Sequence, residues 1–178
     1  MWDVRNVYRP HLKPALAMNT RDLGNTLPTL FAELIDGAPQ TEAFMLNRGD
    51  AGLLRSLDKL SATAASATTQ LGSSIAAHVD HLRYGLSLMN RWSVGENPFD
   101  DADWSASWRK TRVSAAQWKQ LRDELASEAH RWLETLKKPR EIDPSELNSV
   151  VGSVAHLAYH VGAIRQIDLS ARGPSADG

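Results

Sequence analysis

Apolar residues recur at helical spacing in successive stretches, with no sustained two-residue alternation between hairpin turns, which predicts an all-α fold. The first stretch, residues 21–37, carries Leu23, Leu27, Leu30, Phe31, Leu34 and Ile35 before Gly37 and Pro39 close it. A second runs from near Asp50 through Leu53, Leu54, Leu57 and Leu60, and residues 38–49 break what would otherwise be one long helix. Residues 61–73, rich in Ser, Thr and Ala, read as loop. A third stretch starts at a Ser73/Ser74 cap and reaches Trp92. Ile75, Val79, Leu82, Leu86 and Met89 form its stripe, and Asp80, Arg83, Ser87 and Arg91 lie opposite. Capping boxes open the remaining two helices. Ser114 and Gln117 precede the stripe Trp118, Leu121, Leu125, Ala129, Trp132 and Leu136, which Pro139 ends; Asp143, Pro144 and Glu146 start a helix running to about Leu169.

The link from Ser93 to Val113 is long and holds Phe99, Trp104 and Trp108. Adjacent antiparallel helices are normally joined by short turns, whereas a link of about 20 residues can run back along a helix of ~28 Å. The expectation is a four-helix bundle, up-down-down-up, with a crossover between the second and third bundle helices and the tryptophans covering the bundle. This bundle occupies residues 21–170. Residues 1–20, with Pro10 and Pro14 and no helical stripe, are expected as a loosely ordered arm, and residues 171–178 as a disordered tail. Met18 is an alternative start to Met1, and residues 38–50 have no assignable role.

The chain has 178 residues, 42% of them hydrophobic, enough for one sizeable core. Lys and Arg total 20 against 21 Asp and Glu, a net charge of −1, and the basic residues are scattered, so neither nucleic acid nor a membrane is expected as a partner. The absence of cysteine removes disulfides, thiolate ligands and cysteine nucleophiles, so any metal must rest on His, Asp and Glu. No apolar stretch of about 7–15 residues marks a secretory signal near Met1, so a cytoplasmic location is expected.

The last helix has no charged residue in the 17 positions from Asn148 to Ile164. Two His, two Ser and an Asn argue against a membrane span, so the helix is expected to be buried on nearly every side, partly against a second copy of the chain. Gly152, Ala155, Tyr159 and Gly162 would permit close helix approach there. On the same helix His156 and His160 stand one turn apart on one face, a spacing that suits two ligands of one metal. The plainer alternative is two core histidines in ordinary hydrogen bonds. His78 and His81, both within the apolar arc of the third stretch, favour the metal: neutral imidazoles in apolar surroundings are costly unless paired, and three His ligands with one open position is the layout of catalytic zinc. His11 and His130 lack this context.

The segments Ser74-Ile75-Ala76-Ala77-His78-Val79-Asp80-His81-Leu82 and His156-Leu157-Ala158-Tyr159-His160-Val161-Gly162-Ala163-Ile164-Arg165-Gln166 resemble the DinB-like family over residues 25–170. These are damage-inducible four-helix-bundle proteins that bind a divalent metal through one His of the second bundle helix and an HxxxH pair of the last. The resemblance implies His156 and His160 as the pair and His81 as the third ligand, with His78 as an alternative or supporting residue. It also implies a homodimer and one divalent ion, zinc or nickel before iron or manganese. Some relatives are metal-dependent transferases that use low-molecular-weight thiols against small electrophiles; others are hydrolases or isomerases. No catalytic residue is assignable. Tyr84, Trp92, Tyr159 and Arg165 are candidates to orient a substrate, against plainer readings as helix-end packing or, for Arg165, an ion pair with a neighbouring acid. The competing function is a non-catalytic, dimeric metal-binding or stress-response protein.

Overall fold

Among the described residues six α-helices make up the fold: α1 (Thr20–Asp36), α2 (Gly52–Asp58), α3 (Ala62–Ala65), α4 (Ile75–Trp92), α5 (Ala115–Leu136) and α6 (Pro144–Ile167). The computed structural model describes residues 20–68, 72–110 and 112–175, and no strand occurs among them. The arm expected at residues 1–20 therefore lies, except for Thr20, outside the described residues, as does His11. Among the described residues no helix is long and apolar enough to cross a membrane.

Local chemistry sets the helix starts. The side chains of Ser74, Ser114 and Asp143 accept the amides of Ala77, Gln117 and Glu146, and both capping boxes close reciprocally. Within the stretch expected to be loop, Ser61 caps the single turn of α3 by accepting the Ala64 amide. The Ser66 hydroxyl accepts the Val113 amide, which fixes this turn to the start of α5.

The core gathers Phe31, Leu34 and Ile35 of α1, Leu53 and Leu57 of α2, and the apolar stripes of α4, α5 and α6. Arg83 faces Glu124 and Asn90 faces Glu128, so α4 and α5 run in the same direction along their seam. His78 and His81 meet His160 and His156 in reverse order, so α4 and α6 run in opposite directions. Trp132 is fully buried and donates its indole N–H to Ser153 Oγ at 2.9 Å, linking α5 to α6.

Residues 37–51 fold into a loop pinched at its base. The Ala38 amide donates to the Asp50 carbonyl at 2.9 Å and the Gly49 amide to the Ala38 carbonyl at 3.1 Å. Gly37 and Gly52, at φ +108° and +77°, lie back to back, and a Cβ on either would strike the other strand of the loop. Glu33, buried in α1, accepts the amides of Phe44, Met45 and Leu46 on its carboxylate, at 2.7–3.1 Å.

One expectation changes. The segment after α6, expected as tail from residue 171, turns back: Pro174 accepts a hydrogen bond from Asn47 at 2.7 Å, and Ala171 is buried. In the single chain one face of α6 stays open, with Leu147, Val151 and Tyr159 exposed, Tyr159 by 69%. Replacing Trp132 with Ala should cost about 3–5 kcal/mol of stability through lost burial and a cavity. Urea denaturation checks this, and a loss under about 1 kcal/mol would show that the α5–α6 seam does not rest on the indole.

Candidate metal centre

His78 and His81 of α4 and His156 and His160 of α6 face one another across the antiparallel seam. Nε2 of His156 lies 3.1 Å from Nε2 of His81 and 3.0 Å from Nε2 of His160. One nitrogen each from His81, His156 and His160 falls within a common 4.8 Å, a grouping that can hold a metal ion. His78 stands apart from this meeting point. Its Nδ1 lies 2.8 Å from Nδ1 of His160, on the side of that ring away from the three Nε2 atoms.

Burial lowers the pKa of His78, His81 and His156, and that of His160 falls to about 3 through burial and then through its imidazole neighbours. All four rings are therefore neutral at pH 7, and each carries one proton between two nitrogens. Any single proton at the meeting point serves one contact, whereas a divalent cation accepts three lone pairs at once. Nitrogens bound tetrahedrally at about 2.0–2.1 Å from zinc stand about 3.3 Å apart, close to the spacings here. With Nε2 turned inward, Nδ1 carries the proton. That of His160 is then placed to donate to His78, whereas Nδ1 of His81 is buried without a partner. The donor set fits a divalent ion of borderline softness.

The crossover closes one side of the cluster. Trp108 lies over His81, ring centroids 4.7 Å apart, and over His160 at 6.0 Å, and meets His78 edge-on at 5.2 Å. Trp104 flanks His81 at 5.8 Å. These indoles were expected to cover the bundle but had no place in the site. Their four-residue spacing in an otherwise polar link was the available signal. Asp80 anchors the 3-10 turn at Ala106–Arg109 that carries Trp108. Although expected on the polar face of α4, Asp80 is buried under Lys110, at 2.8 Å, with Arg83 at 3.3 Å. Burial would raise its pKa, but hydrogen bonds and the Lys110 and Arg83 charges outweigh burial and leave it lowered. His81 and His156 also border a cavity of about 330 Å³ that has Trp104 and Phe99 of the crossover in its wall.

The orienting candidates divide. Tyr159 sets its ring edge-on to His160 at 5.0 Å. Tyr84 accepts the Asp103 amide at 3.1 Å and packs on Trp104, holding the crossover rather than facing the cluster. Trp92 lies under the Arg140 guanidinium at the far end of α4. Arg165 is paired with buried Asp50 at 2.8 Å, the plainer of its two readings. His130 contacts Asp36 on the surface.

The family model of the DinB superfamily matches residues 45–163. The chain belongs to the DinB superfamily. The match contains α4, the crossover and α6 as far as residue 163, with both His156 and His160, and leaves out α1. No curated protein and no solved structure matches the chain.

Because the four imidazoles are harder to protonate folded than unfolded, the unfolded chain binds more protons between pH 6.5 and about 3. Stability of the metal-free protein should be fully present above pH 6.5 and fall as pH drops through that window. Denaturation midpoints at pH 7.5 and 5 test this. Equal midpoints in a variant with all four His replaced by Gln and in the parent, at both pH values, would dissociate the loss from these rings.

Proposed function

We propose that His81, His156 and His160 hold one divalent ion, zinc or nickel, through their Nε2 atoms, and that the protein is a metal-dependent enzyme of thiol S-transfer. The observation that carries this reading is the meeting of three neutral imidazole nitrogens at the edge of a cavity, which leaves room for a further ligand beside them. The pairings along the helix seams support an up-down-down-up bundle. The ion, when bound, supplies Lewis acidity that lets a thiol lose its proton near neutral pH.

The remaining work falls to the chain. His78 accepts the Nδ1 proton of His160 and keeps Nε2 free to bind. Trp108 and Trp104 exclude water from one side. In the overall reaction the thiol sulfur bonds to an electrophilic carbon while the leaving group departs with its bonding pair, and the thiol proton passes to solvent. Among the described residues no Asp or Glu belongs to the three-His cluster.

A second copy of the chain is the partner that α6 favours. Its exposed face joins Leu147, Val151 and Tyr159 to the side-chain-free surface of Gly152 and Gly162, where a Cβ would meet nothing within 4 Å.

Elemental analysis should find about one ion per chain, falling at least tenfold in His156→Ala and His160→Ala with helicity kept. His81→Ala should lose metal likewise, while His78→Ala should keep the stoichiometry with affinity weaker by about 10–100-fold. Undiminished metal in both α6 variants would sink the assignment, and metal lost from His78→Ala but kept in His81→Ala would exchange those two roles. By sedimentation the parent should be a dimer and Tyr159→Glu a monomer; a monomeric parent overturns the partner. A metal-loaded protein with no S-transfer on any thiol–electrophile pair would favour the non-catalytic reading.

A further inference from the structure

The cavity beside His81 and His156 is lined mostly by apolar side chains. Leu82, Leu86 and Met89 of α4, Leu157 of α6, and Phe99 and Trp104 of the crossover supply its walls. Two hydroxyls also reach it, and both have committed their protons. Ser149 donates to the Ser145 carbonyl at 3.1 Å; Ser153 donates to the Val150 carbonyl at 2.7 Å while accepting the Trp132 indole N–H. No Lys, Arg, Asp or Glu is among the described lining residues. Room comes from two glycines. A Cβ on Gly85 would touch the Trp104 ring at 3.5 Å, and one on Gly152, at the exposed rim, would meet nothing within 4 Å.

In the metal-free protein a charged group entering such a site would shed its water with no charged side chain to meet it, which is costly. An aryl or short alkyl group loses nothing of that kind and removes apolar wall from water. The volume is at the lower end for small-molecule sites, about 300–1,000 Å³. We propose that this cavity seats a compact, uncharged aryl or short alkyl group of the ligand, and that the ligand's donor end lies at the imidazoles. This rests on the metal reading for the donor end only. It makes the site selective for apolar thiols or electrophiles and poor for carboxylate-bearing thiols such as glutathione.

Toluene and benzoate share a ring and differ in charge, so calorimetric titration of each into metal-free protein isolates the preference. Toluene should bind at least about tenfold more tightly than benzoate. Gly152→Leu and, independently, Ser149→Leu should each weaken toluene by about tenfold. Equal affinities for the two rings, no toluene binding, or parental affinity in both variants would overturn the seat. With zinc loaded, benzyl mercaptan should bind at least about tenfold tighter than toluene and than glutathione, and Gly152→Leu should lower its affinity while metal content stays at one per chain. Parity between benzyl mercaptan and either comparator would overturn the placement of the donor end. A protein that takes up no zinc would refute the metal reading, and the toluene–benzoate contrast would still decide the cavity.

Discussion

The constraint on which the molecule turns is electrical neutrality in a dry seam. Four imidazoles on two antiparallel helices occupy ground that aliphatic side chains would fill at no polar cost, and burial keeps them uncharged. Rings so placed must satisfy one another or a shared cation, and the geometry permits both: one nitrogen pair beyond the meeting point and three nitrogens at it. The direction of α6 against α4 follows, because only that register sets 78 beside 160 and 81 beside 156. The crossover follows as well, since Trp108 seals the rings from above and the Asp80–Lys110 pair holds the turn that carries it.

Features whose causes are local could be read from the sequence. The caps Ser74, Ser114 and Asp143 act within three residues of themselves, so spacing alone reveals them. The face shared by His156 and His160 follows from helical periodicity, and the long link could be recognised from its length. What stayed hidden depends on partners remote in sequence. Asp80 looks like a surface residue until Lys110, 30 positions on, covers it. Arg165 looks free until Asp50, 115 positions away, takes its guanidinium. The cavity was hidden for a different reason: it is made by atoms that Gly85 and Gly152 lack, and a missing side chain has no periodicity to detect.

The two aromatic residues of the crossover have separate tasks even though they are four apart. Trp108 faces the rings and shields them, while Trp104 is shared between His81, Tyr84 and the cavity wall. Access to the imidazoles is therefore controlled from a segment with only one turn of helix, held by side-chain contacts more than by backbone ladders. Motion of such a segment costs less than motion of either bundle helix.

The carboxylate of Glu33 has a bearing on where this protein begins as a physical object. It belongs to α1, outside the stretch that matches the superfamily, yet it holds the amides of residues 44–46, where that stretch starts. Cutting the chain at the edge of the match would take the Glu33 acceptor from Met45 and Leu46 and bare the core surface that Phe31, Leu34 and Ile35 cover. The unit that evolution shares and the unit that water recognises thus have different borders, and a single anion is the stitch between them.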